Sequence, residues 1–81
     1  MIKVLFFAQT REIIGQDEIE VEGPFESVQL LRESLAARSD KWALAMAPER
    51  LLMAVNQTIV PPETAISDGD EVAFFPPVTG G

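Results

Sequence analysis

The chain has no cysteine, no histidine and no tyrosine among its 81 residues. Those absences exclude whole classes of chemistry. There is no imidazole to act as a general base, no thiolate nucleophile and no Cys/His zinc site. The four serines, Ser27, Ser34, Ser39 and Ser67, therefore have no histidine to activate them. Basic residues are scarce as well, six against thirteen acidic ones, for a net charge of −7. That balance argues against binding a nucleic acid backbone. No apolar run approaches the ~20 residues of a membrane span. The opening run from Met1 to Ala8 is too short and too poor in basic residues for an export signal, and acidic residues soon follow. The expectation is a cytoplasmic protein with no membrane partner and no bound cofactor.

No Lys or Arg occurs after Arg50, whereas Glu63, Asp68, Asp70 and Glu71 all lie beyond it. A partner that receives this end is expected to be basic. The same acidity also serves plain solubility. The acids lack the spacing of a calcium loop, and Asp68-Gly69-Asp70 reads as a turn.

What is present predicts one α+β domain. Ile2 to Phe7 is a β-rich run. Ala8 to Ile14 reads as a short helix closed by Gly15. Glu18, Glu20 and Glu22 alternate with Ile19 and Val21, which predicts a half-buried strand. Ser27 is placed to cap a helix in which Val28, Leu31 and Leu35 share a face, with Arg32, Glu33 and Arg38 in solvent. A further helical turn is expected around Trp42. Leu51 to Val55 reads as a third strand, with a turn at Asn56-Gln57 and a short extended piece from Thr58 to Val60. Glu71 to Phe75 is the last strand. The first two strands are expected to pair antiparallel, and the first and last to lie side by side.

Parity separates the two faces of such a sheet. Lys3 avoids a core, so Ile2, Val4 and Phe6 face the helix, and by the same logic Val72 and Phe74 do so too. Leu5, Phe7, Leu52, Ala54, Ala73 and Phe75 then form an apolar outer face. Either it is an interface, or the segment near Ala8 or Trp42 covers it. The interface reading makes Phe7 and Phe75 its anchors, with Ile59 at its edge.

The chain ends Phe75-Pro76-Pro77-Val78-Thr79-Gly80-Gly81. Two terminal glycines arise by chance roughly once in 200 chains. A carboxylate is unreactive at neutral pH but becomes useful as an acyl adenylate, and glycine lets backbone approach an active site closely. Pro76-Pro77 favours a stiff polyproline path and stops the last strand from pairing onward. The sequence thus divides into a domain over residues 1–75 and an extended tail over 76–81. Pro76, Pro77, Val78, Thr79 and Gly80 are the insertion segment and Gly81 is the chemical site. The tail's reach is about 20 Å.

The run from Asp68 through Phe75 to Gly81 closely resembles the end of the MoaD family, the small subunits of molybdopterin synthase. The opening Ile2-Lys3-Val4-Leu5-Phe6-Phe7-Ala8 and the middle Leu52-Met53-Ala54-Val55-Asn56-Gln57 are similar to the same family. The resemblance implies a ubiquitin-like β-grasp fold, with a mixed sheet and one main helix packed across one face. It implies a sulfur carrier without catalytic residues of its own, acting in a heterotetramer. A MoeB-like adenylyltransferase would use ATP to adenylate Gly81. A persulfide sulfur donor would then convert the end into a thiocarboxylate (1-thioglycine). Inserted into a MoaE-like large subunit, which holds the catalytic residues, that end would give sulfur to cyclic pyranopterin monophosphate. Two such transfers make the dithiolene. A ThiS-like carrier for the thiamine thiazole, a ubiquitin-like protein modifier and a pure binding module are the alternatives.

Overall fold

Strand β1 (Ile2–Phe6) lies near the middle of the sheet, and the rest of the domain is arranged around it. The computed structural model describes residues 1–47 and 51–77. Five strands run in the order β2-β1-β5-β3-β4, with β2 at Glu18–Val21, β3 at Leu52–Val55, β4 at Thr58–Ile59 and β5 at Glu71–Phe75. β1 pairs antiparallel with β2 and parallel with β5, so the first and last strands are neighbours as expected. β3 runs antiparallel to both β5 and β4. This is a mixed α+β sheet with helices on one face, the arrangement that the resemblance implies.

The helices follow from local signals. α1 (Ala8–Ile14) stops at Gly15, whose φ of 85° is a conformation that side chains with a Cβ disfavour. α2 (Val28–Ala36) is capped by Ser27, whose Oγ accepts from the Leu30 N–H at 3.2 Å. The carbonyls of Thr64 and Pro62 accept from the next orphan donors, the N–H groups of Val28 and Gln29, at 3.0 and 2.9 Å. α3 (Asp40–Met46) is a separate helix, capped by Ser39 through the Trp42 N–H at 3.3 Å.

Arg32 departs from the expectation of a solvent position. It is half-buried, and its guanidinium donates to the Met46 and Ala47 carbonyls at 2.6 and 3.1 Å. A cation at a helix C-terminus satisfies orphan acceptors and opposes the helix dipole. Arg32 thereby ties α2 to α3. Glu33 and Arg38 are exposed as predicted, and the Arg38 guanidinium lies 4.9 Å from the Trp42 ring centre.

The core forms where parity places it. Ile2, Val4, Phe6, Val72, Phe74 and Met53 meet Val28, Leu31 and Leu35 of α2 in one buried cluster. Each such side chain contributes about 1.5–3 kcal/mol by leaving water. Phe6 stacks on Phe74 at 6.4 Å and receives Trp42 edge-on at 5.5 Å. Trp42 therefore belongs to the helix side of the sheet and does not cover the outer face.

Candidate functional site

The outer face is built by strand register. Leu5 aligns with Ala73, Ala73 with Ala54, and Ala54 with Ile59, so one row crosses four strands. Glu18 and Glu20 of β2 align with Leu5 and Lys3 and lie on the same face. The face is thus charged toward β2 and apolar toward β3 and β4. Phe7 extends β1 by one more contact, its N–H donating to the Phe74 carbonyl at 3.4 Å. Ala8, at a φ of 53°, then swings the chain into α1.

Of the predicted anchors, Phe7 and Phe75 meet edge to face with centroids 6.4 Å apart. Phe7 remains 45% exposed and Ile59 63% exposed, and it is their grouping into one patch that is informative. Together with Leu5, Ala54 and Ala73 they line a shallow depression of about 370 Å³. Ala54, expected to point outward, does lie on this face but is only 6% exposed, because its larger neighbours shield its small side chain.

The edge of the depression is held by a polar clamp that the sequence did not disclose. The hairpin joining β3 to β4 turns through Asn56 and Gln57, with φ of 49° and 72°. Asn56 donates from Nδ2 to Asp70 at 3.1 Å, and its Oδ1 accepts from the Glu71 N–H at 3.0 Å. Its own N–H donates to the Glu71 carbonyl at 2.7 Å. The other oxygen of Asp70 accepts from the Ser67 N–H at 2.7 Å. Asn56 is recognisable as a turn residue from its type alone, but its partners fourteen and fifteen residues away are not.

The remaining acids behave as a turn and not as a cation site. Asp68 pairs with the Met1 α-ammonium, whose pKa is raised chiefly by that hydrogen bond. Gly69 has a φ of 91°. Among the described residues, no cluster of acids could hold a metal ion, and no helix is long and apolar enough to cross a membrane. A larger cavity of about 590 Å³, beside Met1, Pro24, Phe25 and Ile66, opens at the opposite end of β1 from Phe75. Pro76 and Pro77 leave β5 half-buried and outside any strand. The predicted Val78, Thr79, Gly80 and Gly81 lie outside the described residues.

The chain belongs to the ThiS family, whose pattern matches residues 4–81. Within that family its full-length relatives are more specific. It is 60% identical over 81 residues to the molybdopterin synthase sulfur carrier subunit of Escherichia coli, covering all of both chains. To the protein of the same description in Haemophilus influenzae it is 58% identical over 81 residues, again covering both chains fully. Solved structures share the fold. The small archaeal modifier protein 1 of Methanosarcina acetivorans matches with a TM-score of 0.77 at 28% identity, covering 99% of this chain and 95% of its own. A chain from the complex of subunits 1 and 2 of the molybdopterin-converting factor of Helicobacter pylori matches with a TM-score of 0.70 at 21% identity, covering 99% and 97%. These neighbours are ubiquitin-like, so the domain is a β-grasp.

Proposed function

We propose that this chain is the sulfur carrier subunit of a molybdopterin synthase. The observation that carries the reading is full-length identity of 58–60% to two proteins so described. The physical picture agrees with it. The chain has no histidine or cysteine, carries an apolar depression on its outer sheet face, and has Gly80-Gly81 in its sequence beyond the strand that carries Phe75. The tail over residues 76–81 acts as the arm, and the domain over 1–75 as the handle.

In this reading the Gly81 carboxylate oxygen attacks the α-phosphorus of ATP on a MoeB-like adenylyltransferase, and pyrophosphate leaves. A persulfide sulfur attacks the resulting acyl carbon, and AMP leaves. Reductive cleavage of the acyl disulfide by a thiol leaves the thiocarboxylate. On a MoaE-like large subunit, whose side chains supply the catalysis, the thiocarboxylate gives its sulfur to cyclic pyranopterin monophosphate. The sulfur bonds to the pterin side chain as an oxygen substituent leaves, and water hydrolyses the resulting thioester, so that Gly81 returns to a carboxylate. The outer face docks that subunit through Phe7, Ile59 and Phe75, and the chemistry belongs in the cytoplasm.

The test is reconstitution. The chain is incubated with the adenylyltransferase, ATP and a persulfide donor, and its mass is measured. Exchange of one oxygen for sulfur at the C-terminus, followed by dithiolene formation when the large subunit and the pterin are added, is the expected result. Formation of an isopeptide bond to another protein's lysine, with no thiocarboxylate, would replace this reading with that of a modifier. Sulfur delivery to a thiazole precursor and not to the pterin would replace it with the thiamine route.

A further inference from the structure

Two consecutive residues in the β3–β4 hairpin, Asn56 and Gln57, have positive φ, and of the two only the Asn56 side chain is hydrogen-bonded among the described residues. Their φ values are those of a type I′ two-residue hairpin turn, which requires φ above zero at both central positions and which Asn-Gly meets best. Asn56 fits the first position and its side chain is fully used, on Asp70 and on the Glu71 N–H. Gln57 stands where glycine is preferred, at a φ of 72°. An unbranched side chain with a Cβ is strained there. Among the described residues the Gln57 side chain makes no hydrogen bond that would compensate. It is exposed, and it lines the depression on the outer face beside Ile59, Glu71 and Phe75.

Backbone strain retained without internal compensation is a mark of functional positions. The remainder of the depression offers few polar atoms, apart from the Glu71 carboxylate at its edge. Apolar packing alone is non-directional and fixes orientation poorly. A carboxamide at the rim offers both a donor and an acceptor. It suits a peptide group or side-chain amide on a docked surface, and such contacts set register at the polar rim of an apolar interface. We propose that Gln57 is a polar anchor of the docking face. It hydrogen-bonds the large subunit at the edge of the patch formed by Phe7, Ile59 and Phe75, and its strained conformation is retained for that contact. The inference rests on the reading of this face as the docking surface.

Two substitutions test it, with thermal denaturation and calorimetric titration of the large subunit as the readouts. Gln57→Gly relieves the backbone and removes the amide. It is expected to raise the melting midpoint by roughly 4–8 °C while weakening binding about 5-fold. Gln57→Ala keeps the Cβ and removes only the amide. It is expected to leave the midpoint within about 2 °C of the wild type and to weaken binding to a similar degree. A structural residue moves stability and binding together, whereas Gln57→Gly moves them in opposite directions. Wild-type affinity in Gln57→Ala overturns the proposal, as does a Gln57→Gly midpoint that fails to rise. Phe75→Ala is measured in parallel. If it also binds as the wild type, the docking-face reading itself has failed. If it binds weakly while Gln57→Ala binds normally, only the anchor is lost.

Discussion

Phe7 and Phe75 meet edge to face on the outer side of the sheet, their centroids 6.4 Å apart and their planes at 81°. The residue before each, Phe6 and Phe74, stacks with its counterpart on the core side at the same 6.4 Å separation, with planes at 17°. Two Phe-Phe pairs, one in β1 and its continuation and one in β5, thus divide between the two faces. Period-two alternation sends neighbours to opposite sides.

The division predicts opposite consequences for adjacent substitutions. Phe74→Ala removes a fully buried ring and is expected to cost about 3–5 kcal/mol of stability. Phe75→Ala leaves the core intact, so its unfolding midpoint should change far less. Its effect should appear in calorimetric titration of the large subunit, where loss of an aromatic anchor costs about 2 kcal/mol, or about 30-fold in affinity. A loss of stability in Phe75→Ala as large as in Phe74→Ala, with unchanged affinity in the fraction that remains folded, would overturn the separate roles given to the two rings.

Arg32 should behave as a structural residue despite its charge. Arg32→Met keeps an apolar stem but leaves the Met46 and Ala47 carbonyls without their donor. The expected cost is about 1–2 kcal/mol in urea denaturation, and binding of partners should not change at saturating concentrations. Arg32→Lys should recover only part of it, because an ammonium is a point donor and cannot reproduce the planar fork that reaches both carbonyls. Wild-type stability in Arg32→Met would show that the clasp between α2 and α3 carries no net energy.

Most of the fold was legible because its signals are local. The alternation around Ile19 marks β2, Gly15 marks the end of α1, and Ser27 marks the start of α2. The inward set on β1 and β5 follows from Lys3 and Glu71 alone. Arg32 was not legible. Helical spacing puts it beside the apolar stripe, but only the tertiary approach of α3 brings carbonyls within its reach. The same holds for Asn56, whose partners arrive from the start of β5, and for Pro62 and Thr64, whose carbonyls meet the first turn of α2. Of the site, the outward positions of Phe7 and Phe75 followed from parity. The shielding of Ala54 did not, because it depends on the size of neighbours across three strands.

The Asn56 clamp carries a prediction with a definite pH sign. Asn56→Asp places a second carboxylate against Asp70, beside the Glu71 N–H, and it replaces the Nδ2 donor at 3.1 Å from Asp70 with an acceptor. Repulsion from the Asp70 carboxylate raises the folded-state pKa of the introduced group above its unfolded value. A raised carboxylate pKa costs stability above that value and relieves the cost once the group is protonated in the folded state. Relative to the wild type, the variant should be about 1–3 kcal/mol less stable at pH 7, with the gap narrowing as pH falls toward ~4. The check is urea denaturation of both proteins across that range. A gap that stays constant or widens toward acid would mean that Asn56 contributes through turn conformation and not through its hydrogen bonds to β5.

Gly81 carries the sharpest prediction of the proposed sulfur-carrier function, which gives it a role of position and not of side-chain chemistry. In that proposed mechanism its carboxylate first reaches the α-phosphorus of ATP, and its carbonyl carbon then accepts sulfur as AMP leaves. Both steps need the backbone seated in a groove tight enough to keep water from a hydrolysable adenylate. Deleting Gly81 withdraws the carboxylate by one residue, about 3.3–3.6 Å. A misplacement of ~1 Å already costs on the order of 100-fold in rate, so the truncated chain should load no measurable sulfur. Gly81→Ala retains the carboxylate at the right distance and adds only a methyl group, so loading should slow without ceasing. If Gly80 acts through fit, as the proposed mechanism requires, Gly80→Val should be more harmful than Gly80→Ala because its branched Cβ fills more of the groove. The measurement is adenylation with the partner enzyme, followed by mass spectrometry for the thiocarboxylate, with unfolding midpoints taken in parallel to show that the domain is intact. Normal loading by the Gly81 deletion would mean that sulfur is not carried on the terminal carboxylate at that position, and the mechanism assigned to the tail would fall with it.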